Sequence, residues 1–414
     1  MLTVAEALAA VLDHARKLPP VALSLVEALD CVLAEDTVAD LDSPPFDKAL
    51  VDGYAVRSSD LAGQVRWLAL GETIMAGQVP SRPLGRGEAT VVMTGAPIPL
   101  ECDAVVMHER TRPHQDGVLI LEPEVRAGQN LMNRGREMRA GDVVVPCGSI
   151  LSPARLGVLA SVGRVDVRVV PRPLVAIVPT GDELVEPGQV PGPGQIRNSN
   201  AVLLQALAMQ EGARATVLPI APDLPGPLTT ILERGLESDV LVITGGVSAG
   251  QRDLVPAALD ALGVTCIFHK VSLKPGKPLW FGIGPSRGDR PAALVFGLPG
   301  NPVSGLVSFL LFVKAALSVL AGKPEPHKGW ICGRLTSEFS HRGDRTTFFP
   351  SRVVDPGDNT AGLPTIEPLP WHGSADLLAT SGADGFAIFA AGDRDYVPGE
   401  IVDFLPMRSL RCPT

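Results

Sequence analysis

The chain lacks the signatures of several function classes. Its six cysteines, at 31, 102, 147, 266, 332 and 412, are dispersed, with no Cys-x-x-Cys pair and no Cys/His spacing suited to zinc. Structural zinc and a disulfide framework are therefore not expected, and a reducing cytoplasm is the simple inference. There is no excess of positive charge: the net charge is -9, which argues against a duplex nucleic acid partner held by bulk electrostatics and leaves any anion to a local pocket. No basic segment precedes the first apolar residues in "MLTVAEALAAVLDHARK", so no signal peptide is expected; Thr3 and Glu6 fit a helix capping box instead. None of the seven histidines lies in a His-Glu-x-x-His context, and no Gly-x-Ser-x-Gly element or other nucleophilic triad is present. His269, at the end of a predicted strand, reads as structural or solvent-facing. The most apolar stretch, Pro302 to Ala321, is broken by Lys314 and dotted with Ser304, Ser308 and Ser318, so it is expected to be a buried helix rather than a membrane span.

Glycine and proline, by contrast, are plentiful, at 43 and 39 of 414 residues, and they imply many turns in a globular chain of two to four domains. Residues from about 171 to 322 alternate short β-branched runs with helical patterns, the signature of βαβ units and a mostly parallel sheet. Strands are expected at "LVAIVP" from Leu174, "ATVLPI" from Ala215, "DVLVIT" from Asp239, "VTCIFH" from Val264 and "AALVFG" from Ala292. The segment from Asn198 has capping residues, a helical apolar repeat and a terminal Gly212. From Pro19 to Gly163, and again after Lys323, short apolar segments punctuated by Gly and Pro predict β-rich structure, with "AGKPEPHKG" as a linker.

In a parallel α/β sheet ligands bind beyond the carboxyl ends of the strands, so the segments following each strand form one surface. They carry Asp182 and Glu183 in "TGDELVEPG", Asp223 in "APD", Gly245, Gly246, Ser248 and Asp253 in "GGVSAGQRD", Lys274 and Lys277 in "KPGKP", and Pro299, Gly300, Asn301, Pro302 and Ser304 in "LPGNPVS". Glycines admit a close backbone approach to oxyanions, lysines supply positive charge, and carboxylates hold Mg²⁺. Together these are the parts that phosphoryl chemistry requires. Singly, Asp182 suits a turn or cap as well as a ligand, and "KPGKP" suits a charged surface turn. In "FGLPGNPVSG", Asn301 is placed to cap a helix that starts at Pro302, with Ser304 in a first turn whose free N–H groups attract anions.

"TGDEL", "QIRNSN", "GGVSAGQRD", "KPGKP" and "LPGNPVS" resemble, in order and spacing, the central domain of the molybdenum insertion enzymes of molybdenum cofactor synthesis, called MoeA in bacteria and the E domain of gephyrin in animals. "SPPFDKALVDGYAVR" from Ser43, "VVMTGAPIP", "GQNLMNRGREMRAGD" and "HGSADLLATSGADGFAIF" extend the resemblance over nearly the whole chain.

The resemblance implies an α/β multidomain fold. A discontiguous linker domain takes residues 1–43 plus 131–170, an inserted β-rich domain 44–130, a central three-layer α/β molybdopterin-binding domain 171–322, and a small C-terminal β-barrel domain 323–414. It also implies a homodimer in which Asp52 and Thr94 reach the cleft of the other subunit. The implied reaction inserts molybdate into adenylylated molybdopterin with Mg²⁺-dependent hydrolysis and release of AMP. Ser248, Lys274, Lys277, Ser304 and Ser374 would take molybdate, while Glu183, Asp223 and Asp253 would hold Mg²⁺, with Asp52 assisting. A molybdopterin adenylyltransferase is the implied protein partner. The chain departs from the family pattern at Lys48-Ala49, where the family has Asn-Ser, at Val51, where it has Met, and at Pro350 in "DRTTFFPSR", where many relatives carry arginine. Any arginine role there would pass to Arg345 or Arg352.

Overall fold

The structure is a computed structural model, and it describes residues 1–63, 66–247, 254–288, 290–324, 330–355 and 362–408. The chain divides into two compact units. One holds Met1–Leu23, Glu27–Ala34 and Arg168–Thr414, and the other Ser24–Val26 and Glu35–Val167.

The larger unit is organised by a six-stranded sheet in the spatial order Arg214–Val217, Leu174–Pro179, Val240–Thr244, Leu294–Leu298, Trp280–Ile283 and Thr265–His269. Trp280–Ile283 runs antiparallel to both neighbours, whereas the first four strands are mutually parallel. The sequence reading missed Trp280–Ile283. The strand it follows, Thr265–His269, returns through the proline-containing segment around "KPGKP" rather than through a crossover helix, because Pro275 and Pro278 exclude one there.

Strand residues alternate between two cores, as the pleat requires. Val175, Ile177, Val240 and Val242 pack with the helices Ser199–Gln210 and Pro302–Ser308, while Ala176, Val178, Leu241 and Ile243 pack with Pro225–Gly235 and Leu254–Ala261. The result is a three-layer α/β domain. The N-terminal helix Val4–His14 joins the first core through Ala7 and Val11, and its Thr3/Glu6 capping box is present.

The apolar segment Pro302–Leu320 is long and hydrophobic enough to cross a membrane, but 89% of it is buried inside the domain. Its Lys314 pairs with Glu211 at 2.9 Å, so the charge that interrupts the run faces a neighbouring helix end. The helix winds as a π-turn over Phe309–Val313.

The C-terminal strands close a five-stranded barrel: Thr346–Asp355, Thr365–Pro368, Ile331–Leu335, Ile401–Pro406 and Gly385–Phe389, which pairs back onto the first. Phe389 and Phe404 fill it, and Phe339 stacks on Phe389 at 3.9 Å. The barrel is tied to the central domain by a short parallel pairing of Leu273–Lys274 with Thr346–Thr347.

The smaller unit is β-rich, with a six-stranded sheet in the order Ala104–Met107, Gly53–Val56, Glu88–Val92, Trp67–Ile74, Gly117–Ile120 and Thr111–His114. Gly53 cannot be replaced without moving backbone, since a Cβ there would lie 2.0 Å from the Val106 carbonyl oxygen.

Candidate functional site

Register brings the candidate loops to one level. Pro179 pairs with Thr244 and Thr244 with Leu298, so the segments that begin at Thr180, Gly245 and Pro299 leave the sheet side by side. Short bonds then fix them to one another. The Thr180 amide donates to the Thr244 carbonyl at 2.9 Å, and the Gly245 amide to the Leu298 carbonyl at 3.2 Å. Gly245 has φ +93, and a Cβ there would meet the Thr180 carbonyl oxygen at 2.6 Å, so only glycine permits this approach. His269 accepts its structural role: its Nε2 lies 3.0 Å from the Val247 carbonyl and steadies the same loop.

Two clefts open on either side of the Pro299–Asn301 turn. The first, about 490 Å³, is walled by Glu183, Asn200, Thr244, Gly245–Gly246 and the turn itself. The second, about 700 Å³, lies between the central domain and the barrel. Lys274, Lys277 and Ser304 come from one side and Arg342, Arg345 and Ser374 from the other. Among the described residues, no aspartate or glutamate lines it. Lys274 and Lys277 are exposed and have no ion-pair partner among the described residues, whereas Arg342 pairs with Asp395 and Arg345 with Asp344. Phe349 and Trp371, in edge contact at 5.2 Å, form an aromatic wall.

The "LPGNPVS" segment is built differently from the expectation in one respect. Asn301 occupies the N-cap position of the helix Pro302–Ser308, but its side chain makes no capping bond. Its Nδ2 donates instead to Ser374 Oγ at 2.8 Å. The Val303 amide, in the first turn of the helix, donates to the Ser374 carbonyl at 3.0 Å. Pro302 carries no N–H, so the barrel takes a donor that the sequence reading had offered to an anion. Ser374 itself stands in a loop ordered by Asp376, whose carboxylate accepts from the His372 and Ala379 amides and from His372 Nδ1. Those bonds, led by the His372 amide, hold the Asp376 carboxyl below its usual range.

Among the candidate carboxylates, Glu183 lines the first cleft. Asp223 is on the adjacent loop, where its amide donates to Asp182 Oδ1 at 3.0 Å. Among the described residues no group of three or more His, Cys, Asp or Glu surrounds a common point. Asp253, the third member of the expected metal set, and Ser248 of the expected oxyanion set lie outside the described residues. Glu183 and Asp223 offer oxygen donors only, which suits a hard divalent cation such as Mg²⁺.

Asp52 and Thr94, in the smaller unit, form a local pair. Asp52 Oδ1 accepts from both the amide and the hydroxyl of Thr94, each at 2.7 Å. The Thr94 amide, then its hydroxyl, hold the Asp52 carboxyl below the ordinary aspartate range, and His108 adds to this. Of the two arginines considered for the barrel, Arg345 faces the second cleft and also donates to the Leu273 carbonyl at 3.2 Å. Arg352 pairs with Glu367 at 2.6 Å and does not line the cleft.

Sequence reasoning missed Asn200, Arg342 and Trp371. Asn200 is the informative omission, because the motif "QIRNSN" offers two asparagines at a helix start and Asn198 alone does the capping, its side chain accepting from the Ala201 amide at 3.2 Å. The second asparagine was surplus to that role.

Comparison with known proteins agrees along the whole chain. The family model of the MoeA N-terminal region (domain I and II) matches residues 2–163, that of a probable molybdopterin binding domain 176–319, and that of the MoeA C-terminal region (domain IV) 333–407. Molybdopterin molybdenumtransferase of Staphylococcus aureus is 31% identical over 98% of this chain and 95% of its own length. The enzyme of the same name in Staphylococcus epidermidis is 30% identical, with the same coverage. Among solved structures, two of the molybdopterin biosynthesis MoeA protein of Pyrococcus horikoshii, each 30% identical, superpose with TM-scores of 0.81 and 0.76. They cover 99% and 98% of this chain and 100% of their own.

Proposed function

The chain belongs to the molybdopterin molybdenumtransferase (MoeA) family of molybdenum cofactor biosynthesis, and from that premise we propose that it inserts molybdate into adenylylated molybdopterin with hydrolysis of the adenylate and release of AMP. The observation that carries this reading is the second cleft, where, among the described residues, Lys274 and Lys277 without an ion-pair partner meet Ser304 and Ser374 and no carboxylate joins the lining. A tetrahedral dianion is favoured by such a wall, since charge-assisted bonds from lysine and hydroxyl donors offset its desolvation.

In this reading molybdate is taken by Lys274, Lys277, Ser304 and Ser374, joined by Ser248. The adenylylated pterin lies in the first cleft, against Gly245, Gly246 and the Pro299–Pro302 turn, where the missing side chains allow close backbone approach. Glu183, Asp223 and Asp253 would hold Mg²⁺, which would supply charge neutralisation at the phosphoanhydride. Water attacks phosphorus, the bond to the molybdopterin phosphate breaks, and AMP leaves. Asp52 and Thr94 of a second copy complete the site, which makes the active species a homodimer. The linker (1–43 with 131–170), inserted (44–130), central (171–322) and barrel (323–414) domains of the family scheme apply, and the enzyme works in the cytoplasm on the product of a molybdopterin adenylyltransferase.

The test is AMP release from adenylylated molybdopterin by the purified protein with Mg²⁺, with and without molybdate. Molybdate-dependent release is the expected result. Tight substrate binding without release under any oxyanion would replace insertion by a carrier role.

A further inference from the structure

Asn200 lines the first cleft and does not line the second. Its Nδ2 donates to Thr244 Oγ1 at 3.0 Å and to the Gly300 carbonyl at 2.7 Å. The orientation of the amide is settled by chemistry, because a carbonyl oxygen accepts only and so must face the NH₂ end. The other end, Oδ1, is buried and has no hydrogen-bond partner among the described residues. A buried acceptor left unpaired is costly, and such groups are found where a side chain is held for a purpose other than stability.

The purpose is legible in what the bond to Gly300 holds. The next residue, Asn301, reaches the second cleft and donates to Ser374 Oγ at 2.8 Å. That bond occupies an acceptor position of the Ser374 hydroxyl and leaves its proton free to be donated elsewhere. Gly300 and Asn301 are consecutive, so the turn is clamped on one side by Asn200 and on the other by Ser374. Loss of either clamp removes one of the bonds that orient the peptide between them, beside the Gly305 amide on the Asn301 carbonyl and the Val303 amide on the Ser374 carbonyl.

We infer that Asn200 is a positioning residue for anion binding in the second cleft: by holding the Gly300 carbonyl it sets Asn301, and through Asn301 the direction in which Ser374 donates. The inference rests on the reading of the second cleft as the molybdate site, and it assigns to that site a residue that never touches the ligand. A residue that served only the first cleft would influence the nucleotide alone.

Binding of molybdate to the full-length protein, measured by titration calorimetry, tests this directly. In the wild type binding is expected. Asn200→Ala should weaken it about tenfold, the effect of one misdirected hydrogen bond to a charged ligand. Ser374→Ala should weaken it to a similar degree. The double variant Asn200→Ala/Ser374→Ala should bind no worse than Ser374→Ala, because the effect of Asn200 passes through that hydroxyl. Asn200→Asp keeps the size of the side chain but sets an acceptor against the Gly300 carbonyl, and it should reproduce the loss if Asn200→Ala does not give a cooperative thermal transition. Unchanged molybdate affinity in folded Asn200 variants, or penalties that add in the double variant, would overturn the positioning role. Absence of molybdate binding in the wild type would instead overturn the parent reading of the cleft.

Discussion

The two clefts beside the Pro299–Asn301 turn share a wall and differ in almost everything else. The first is rich in glycine: Gly245, Gly246 and Gly300 bring main-chain atoms to its surface, and among the described residues its lining carries one acid, Glu183, and one cation, Arg197. The second is lined by charged side chains: lysines from one domain, arginines and a serine from another, and no acid among the described residues. A glycine-rich wall suits close backbone approach to a ligand, while a wall dominated by cations selects for anions on charge. One turn therefore separates a glycine-rich site with one acid and one cation among its described residues from a site lined by several cations.

The sharpest way to break that contrast is to reverse charge in the second cleft. Lys277→Glu should reduce molybdate affinity by on the order of 100-fold, because it removes one charge-assisted contact and adds a repulsive one. AMP binding in the first cleft should change far less, and calorimetric titration of each ligand separates the two. Equal losses for both ligands would mean that the clefts act as a single site.

Backbone should be the weak point of the first cleft. Gly245→Ala forces a Cβ to 2.6 Å from the Thr180 carbonyl oxygen at φ +93, and is expected to destabilise the domain by about 2 kcal/mol. Denaturant unfolding would show it. The same substitution at Gly77, where φ is +86 but no atom of the described residues lies within 4 Å of the added Cβ, isolates the conformational part of that cost.

How much of each cleft was legible in the sequence follows from the same contrast. Glu183, Gly245, Gly246 and Pro299–Pro302 follow strands of one sheet, so periodicity and the edge rule sufficed to collect them. The second cleft depends on the barrel. Arg342 and Arg345 stand near a strand that pairs with Leu273–Lys274 more than 70 residues earlier in the chain, and no local pattern announces such a pairing. Ser374 was reached only through resemblance to a family. The misassigned cap has a similar origin: Asn before Pro is a sound capping signal, but Ser374 of another domain competes for the Asn301 side chain and for the Val303 amide. Asn200 was hidden because an asparagine in a first helical turn reads as a cap, and its partners, Thr244 and Gly300, lie 44 and 100 residues away.

Asp52 offers a comparison of its own, since in it a carboxylate is held by a neighbour rather than by a cation. Its folded-state pKa is depressed by the Thr94 amide and hydroxyl. The associated stabilisation is present above the ordinary aspartate value of about 3.9 and is lost as pH falls through the lower folded-state value. Asp52 is thus fully ionised throughout the neutral and mildly acidic range. Thr94→Val removes the hydroxyl bond and keeps the amide bond, so carboxyl titration followed by NMR should show the Asp52 pKa rising only part of the way to its ordinary value. A complete return would mean that the amide contributes nothing.

The smallest expected effect sharpens the claim that the second cleft is defined by where its cations point and not by the number of cations nearby. Arg352 is carried by the strand Thr346–Asp355, as close in sequence to the cleft as several residues that line it, yet its Nε is engaged by Glu367 at 2.6 Å and it is absent from the lining. Both partners are half-exposed, and an ion pair in that setting is worth about 0.5 kcal/mol. Arg352→Ala is therefore expected to shift stability by no more than that amount and to leave molybdate affinity within about twofold of the wild type, because a charge already paired and screened by water contributes little field to the cleft. Arg345→Ala, measured beside it, removes a cation that faces the cleft and also the donor to the Leu273 carbonyl that precedes Lys274, so its loss of affinity should be several-fold larger. If the two variants behaved alike, long-range charge would govern binding, and the geometry of the lining would not.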